Sequence, residues 1–182
     1  MTSHRYDKIV ALIHGRQAAC GSTTVVAVDG PSGSGKTTFA DQLAESAGAV
    51  VLHLEDLYPG WHGLAATPPM VARGILDAIA VDRIGTAPRW DWVNDRPGEN
   101  LRVRPTPLLI LDGVGSGAAV IRPFLSLLIW VEAPTNVRKQ RALARDGGVY
   151  APYWDMWAAQ EAMHFRAEET RRHADVVVHT HA

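Results

Sequence analysis

Runs dominated by apolar residues recur at Thr24–Val28, Val50–Leu54, Leu108–Leu111, Leu125–Val131 and Ala174–Val178. Such runs predict strands buried on both faces of a parallel sheet. Between them the apolar spacing turns helical. Ile9, Val10, Leu12 and Ile13 predict a leading helix over Tyr6–Ala19, packed on the sheet edge and ended by Gly21-Ser22. Phe39, Ala40, Leu43 and Ala47 share one side of a helix over Lys36–Ala47, with Asp41 and Glu45 on the other. Met70, Ile75, Leu76 and Ile79 give Pro69–Ala80 a core face. Pro134-Thr135-Asn136 opens another helix, which Gly147-Gly148 is expected to break, and Tyr150–Arg172 reads as a long last one. Strands alternating with helices predict an α/β fold, a three-layer sandwich whose five-stranded parallel sheet carries helices on both faces. At 182 residues the chain reads as a single domain, 1–182.

The first strand runs into Gly30-Pro31-Ser32-Gly33-Ser34-Gly35-Lys36-Thr37, a G-x-x-x-x-G-K-[ST] phosphate loop between strand and helix. Its glycines free the backbone to turn successive N–H groups inward around phosphate oxygens, and the following helix points its positive end at the same anion. Lys36 reaches the β- and γ-phosphates, and the Thr37 hydroxyl is placed to ligate magnesium. Gly30, Ser32, Gly33, Ser34, Gly35, Lys36, Thr37 and Thr38 form the nucleotide-binding set, with Thr38 in the helix's first turn, where it also caps or packs.

Chemistry also gathers where the other strands end. The second delivers Glu55-Asp56-Leu57-Tyr58 beside the phosphate loop, because ligands in open α/β sheets bind beyond the carboxyl ends of strands. Asp56 either caps its turn or accepts the proton of an acceptor hydroxyl; Glu55 and Glu132 are weaker candidates. The third strand ends in Asp112-Gly113, an apolar run closed by an acid that holds magnesium directly or through water. Pro88 to Gly98 is dense in aromatic and charged residues and reads as a binding loop or short ribbon. Trp90, Trp92 and Tyr58, clustered with Asp91 and Arg96, are either core or the wall of a pocket for a flat base or sugar. Trp154 and Trp157 read as helix packing. Arg138, Arg141 and Arg145 share one helical face, either solvated or a lid over the transferred group, spanning about residues 138–150. Gly113, Gly115 and Gly117 make a loose G-x-G-x-G that is set aside, since a phosphate loop is already in place.

Composition narrows the partners. A formal charge of −1 argues against a general nucleic-acid footprint. No apolar run is long enough to span a bilayer, and Met1 to Lys8 is too polar for a signal peptide, so a cytoplasmic protein without membrane partners is expected. The lone Cys20 suits a reducing compartment. The eight histidines lack metal-ligand spacing, and the His179-Thr180-His181 tail reads as a solvated end.

These residues resemble the uridine kinase and phosphoribulokinase branch of the P-loop nucleoside and nucleotide kinase-like proteins. Gly30–Thr37 resembles its phosphate loop, Asp56-Leu57-Tyr58 its D-x-F-Y turn, and Trp90-Asp91-Trp92 its nucleoside-contacting Y-D-F. Leu111-Asp112-Gly113 is similar to its E-G-I strand end, Arg138-x-x-Arg141-x-x-x-Arg145-Asp146 to its lid, and Ala174–Val178 to its closing A-D-V-I-I strand. The chain departs from it in having Asp112 for glutamate, Ala142 for a second lid arginine, and no match to the histidine after Y-D-F. The resemblance implies transfer of the γ-phosphoryl of ATP, with Mg2+, to a hydroxyl of a uridine-like nucleoside. It implies that Asp56 is the base and that the Trp90-Asp91-Trp92 segment contacts the nucleoside; the residue reading adds Tyr58 and Arg96 as substrate contacts, gives magnesium to Thr37 and Asp112 and the phosphates to Lys36, and sets Arg138, Arg141 and Arg145 on the transferring group. Another metabolite alcohol, such as a sugar or vitamin, or a regulatory nucleotide switch are the other readings, and a homo-oligomer is left open.

Overall fold

The computed structural model describes residues 3–180, with the side chains of residues 3–5 and 145–149 outside that description. Seven strands follow in chain order: β1 (Thr24–Asp29), β2 (Val50–His53), β3 (Gly85–Asp91), β4 (Arg96–Val103), β5 (Leu108–Asp112), β6 (Leu127–Glu132) and β7 (Val176–His179). Five of them form one parallel sheet in the order β2-β5-β1-β6-β7, and β3 and β4 form a separate antiparallel hairpin. The phosphate-loop strand β1 is therefore central, with β5 and β6 as its neighbours.

Alternate side chains point to opposite faces of a strand, and the two cores divide accordingly. Val26, Val28, Leu108 and Ile110 pack beneath α1 (Ser3–His14) and α2 (Lys36–Ala47). Val25, Leu109 and Leu111 pack against residues of the α3 region and of the last long helix. The leading helix stops at His14, short of Ala19, and it packs on α2. Tyr6 meets Phe39 at 5.4 Å between ring centroids and donates to Gln42 Oε1 at 2.6 Å. Beyond it, Cys20 and Thr23 form an isolated antiparallel bridge, with Gly21 at φ 59 turning the chain.

The third helical stretch, α3, covers residues 67–79 and contains a π-helical segment, Ala72–Leu76. That widened turn lies where the hairpin presses closest: a Cβ on Gly74 would sit 2.5 Å from the Thr86 carbonyl, and one on Gly85 2.6 Å from Ile75 Cα. The segment from Pro88 is thus a ribbon.

Helix α4 (Thr135–Tyr150) runs through Gly147-Gly148, where a break was expected. Each glycine costs a helix about 1 kcal/mol, but Tyr150 at its end is buried and stacks on Trp61 at 5.3 Å, a tertiary anchor for the last turn. The break comes instead at the Ala151–Tyr153 turn, which contains Pro152, and α5 (Trp154–Glu168) follows. Glu169, at φ 47, separates it from α6 (Thr170–His173), so the expected Tyr150–Arg172 helix is three pieces. Among the described residues no helix is long and apolar enough to cross a membrane.

Candidate active site

The phosphate loop is held from beneath by a buried acid. Asp29, the last residue of β1, is fully buried and accepts from the N–H groups of Gly30 at 2.6 Å, Gly115 at 3.1 Å and Gly117 at 2.9 Å. The G-x-G-x-G after β5 therefore cradles a carboxylate of the protein's own. Burial pushes Asp29 up to about 6, against the opposing pull of those N–H groups and of Lys36. Above it the loop needs its glycines: at Gly30 (φ 140) a Cβ would collide with the Val131 carbonyl, and at Gly33 (φ 76) with that of Arg138. Lys36 is buried and donates to the Pro31 carbonyl at 3.1 Å.

Two side chains with oxygen atoms line the cavity beside the loop. Thr37 opens α2, and Asp112 closes β5; both line one cavity. Asp112 is buried, with Oδ2 2.9 Å from His53 Nδ1 and Oδ1 left without a hydrogen-bond partner. That hydrogen bond raises the His53 imidazole above its ordinary value, against the opposing effect of burial; Asp112 and Asp41 charges add to the rise. An unpartnered carboxylate oxygen with a threonine hydroxyl suits magnesium, which takes one or two protein oxygens plus substrate phosphates and water. No group of three or more His, Cys, Asp or Glu side chains among the described residues is placed to hold a metal.

The cavity has a volume of about 650 Å³. One wall is the phosphate loop, with Ser32, Gly33, Gly35, Lys36, Thr37 and Thr38 on it. The facing wall is aromatic, made by Tyr58, Trp61, Trp92, Tyr150 and Trp157. Trp61 lies parallel between Tyr150 and Tyr153, whose centroids are 5.3 and 4.4 Å away, and meets Trp92 at 5.1 Å. Tyr58 packs on the edge of Trp157 at 4.9 Å and donates to the Val114 carbonyl at 3.0 Å, and its burial raises the phenol well above its usual value.

Several expected residues stand here and others do not. Tyr58, Thr37, Thr38, Lys36, Asp112 and Arg141 line the cavity; Trp90, Asp91 and Arg96 are not among its lining residues. Trp90 packs toward Gly60, Asp91 accepts from the N–H groups of Val93 and Asn94 to close the hairpin turn, and Arg96 lies 4.0 Å from Asp91. It is Trp92, just beyond the end of β3 and donating from Nε1 to the Glu55 carbonyl at 3.0 Å, that enters the wall. Asp56 pairs with Arg89 at 2.8 Å and opens on a smaller recess of about 350 Å³, which it shares with Thr37, Asp41 and His53. Glu55 borders both spaces.

The lid arginines are tied to the loop. Arg138 donates to the Ser32 carbonyl at 3.0 Å. Arg141 donates to Thr180 Oγ1 at 3.0 Å, and Thr180 donates onward to the Ser34 carbonyl at 2.6 Å. The Arg145 side chain lies outside the described residues. Thr180 is thus part of the site, not a solvated end, and Trp157 does more than pack its helix. Trp61 belongs to the acidic-aromatic turn that follows Glu55 and Asp56, whereas Tyr150, Trp157, Glu161 and Thr180 carried no local signal of a site, since each reaches it through the tertiary fold.

Comparisons with known proteins find kinases among those that the chain resembles. Over 137 residues the chain is 25% identical to the uridine kinase of Borrelia duttonii, and 26% identical to that of Borrelia hermsii, a match covering 67% of this chain and 66% of each enzyme. The chain therefore spans just under two thirds of the length of those relatives. A Bacillus stearothermophilus structure described as a possible uridine kinase superposes with a TM-score of 0.70 at 22% identity, over 96% of this chain and 97% of that one. A Silicibacter kinase ascribed to a fructose transport system gives 0.61 at 16% identity, over 97% and 98%. No protein-family model matches. In sequence and fold the likeness is to uridine kinase-like P-loop kinases.

Proposed function

We propose that the chain is a magnesium-dependent kinase that moves the γ-phosphoryl group of ATP to a hydroxyl of a small flat-ringed molecule, with a uridine-like nucleoside first among the acceptors. The observation that carries this reading is the single cavity with a phosphate loop for one wall and an aromatic box for the other. Such a box takes a flat ring by stacking, while the loop fixes phosphates a few ångströms away, and phosphoryl transfer asks mostly for positioning and charge neutralisation.

In this reading the loop N–H groups and Lys36 hold the phosphates, and Arg141 approaches the transferring group from the lid. Thr37 and Asp112 hold magnesium, which neutralises charge on the β- and γ-oxygens. Of the two adjacent acids, Glu55 borders the large cavity and is the better placed to take the acceptor's proton; Asp56, the acid first expected there, is held by Arg89 at the recess and orients the turn. The test is ADP release from Mg-ATP across nucleosides, sugars and vitamin alcohols, with Lys36→Ala as a blank. Stimulation by uridine or cytidine supports the reading in full, and stimulation by another alcohol keeps the kinase and reassigns the acceptor. Silence across the panel, with nucleotide still bound, would overturn it in favour of a regulatory switch.

A further inference from the structure

Ser32, the third residue of the phosphate loop, has all three of its polar groups held by side chains more than 100 residues away in sequence. Its N–H donates to Glu161 Oε1 at 2.8 Å, its hydroxyl accepts from Trp157 Nε1 at 2.9 Å, and its carbonyl accepts from Arg138 at 3.0 Å. Trp157 also donates to Glu161 Oε1 at 2.8 Å, one turn along α5, and Arg138 stands 3.9 Å from Glu161 Oε2. Glu161 is only 4% exposed.

A carboxylate is costly to bury, and well-packed apolar groups in place of a buried ion pair are often as stable or more so. Stability alone therefore gives little reason for an acid on α5 at this point. What the acid does supply is an acceptor aimed at one loop N–H, which fixes the loop's path before any phosphate arrives. Preformed donors bind an anion without a reorganisation cost, whereas a loop free to collapse on itself must first be opened.

We infer that Trp157 and Glu161 are a positioning pair that preforms the phosphate loop for nucleotide. The pair rests on the phosphate-loop part of the proposed function and not on the identity of the acceptor. The Trp157 ring also lines the aromatic wall, so one side chain touches both halves of the cavity.

Calorimetric titration with Mg-ADP tests this without an acceptor, on the wild-type chain and on Trp157→Phe, Glu161→Gln and Glu161→Ala. Trp157→Phe keeps a ring and loses the donor; Glu161→Gln keeps an oxygen acceptor for Ser32 and loses the charge. Glu161→Ala and Trp157→Phe are expected to weaken Mg-ADP about tenfold, and Glu161→Gln to stay within about threefold of wild type. Wild-type affinity in Glu161→Ala would overturn the inference. So would tighter binding, which would mean that the carboxylate occupies the phosphate's place, or a Gln variant no better than Ala. If Glu161→Ala does not fold, the contrast between Trp157→Phe and Glu161→Gln decides alone, and equal affinities overturn the pair. A silent acceptor panel would sink the kinase reading and leave this result standing.

Discussion

Asp112 turns one carboxylate oxygen to His53, with Oδ2 2.9 Å from Nδ1, and keeps the other buried without a partner. One contact fixes the side chain's rotamer, and in the proposed kinase the other oxygen is the one that would hold magnesium. Losing the free oxygen's charge should be felt mainly in metal affinity. Asp112→Asn is expected to raise the Mg2+ concentration for half-maximal turnover by roughly tenfold or more, and His53→Gln by less, since groups that orient a ligand matter at one remove. Mg2+ titrations at saturating ATP check this, and an unchanged half-saturation in Asp112→Asn would remove it from the metal site.

Glu55 and Asp56 are neighbours in sequence that share the smaller recess, and of the two it is Glu55 that also borders the large cavity. A general base contributes typically 10²- to 10⁴-fold, so Glu55→Gln is expected to lower kcat by about that factor while leaving Mg-ADP affinity near wild type. Asp56→Asn should cost less, and Arg89→Ala should reproduce its effect, because the two side chains hold one another at 2.8 Å. Steady-state kinetics on the three variants separates the roles. If Asp56→Asn falls furthest and Arg89→Ala does not, the base is Asp56.

Asp29 gives the fold a pH dependence of definite sign. Its carboxyl rises from an ordinary 3.8 to about 6 in the folded chain. Between those values the folded state holds the proton and the unfolded state has released it, so stability falls as pH rises through this window. The contribution is on the order of 3 kcal/mol, complete above about pH 6. Urea unfolding from pH 4 to 7, with carbon NMR of the Asp29 carboxyl, checks both parts; a midpoint near 4 would show that the Gly30, Gly115 and Gly117 donors and Lys36 fully offset burial and that this pH dependence is absent.

These residues also mark where the sequence was legible. The loop from Gly30 to Thr37 follows from its local pattern because its function depends on backbone freedom and on the helix starting at Lys36, all within a few residues. The apolar runs of β1, β5 and β6 likewise announce a doubly covered sheet. Asp29 was not legible as a buried acid, because its three donors include Gly115 and Gly117, 86 and 88 residues away. The aromatic wall was half legible: Tyr58 and Trp61 follow Glu55 and Asp56 directly in one acidic-aromatic turn and Trp92 stands in a segment dense in aromatic and charged residues, whereas Tyr150 and Trp157 reach the wall only through the tertiary fold. Trp90 pairs with Pro97 inside the hairpin, while Trp92 lies just beyond the end of β3 and reaches the Glu55 carbonyl, a difference that local pattern does not reveal.

Thr180 is the least conspicuous member of the site and offers the most sensitive check on how the lid is attached. Its hydroxyl donates to the Ser34 carbonyl at 2.6 Å and accepts from Arg141 at 3.0 Å, so the end of β7, the phosphate loop and the lid helix meet at one oxygen. Thr180→Val keeps the shape and removes that oxygen. Each such hydrogen bond is worth about 0.5–1.5 kcal/mol, and the Ser34 carbonyl loses its donor. Stability should therefore fall by roughly 1–2 kcal/mol, and, because the loss falls on the loop and on Arg141, Mg-ATP affinity should drop several-fold while acceptor KM changes little. Thermal melts with calorimetric titration of Mg-ATP measure both. A stability loss with wild-type nucleotide affinity would make Thr180 a strut of the sheet edge, with no part in placing Arg141 over the phosphates.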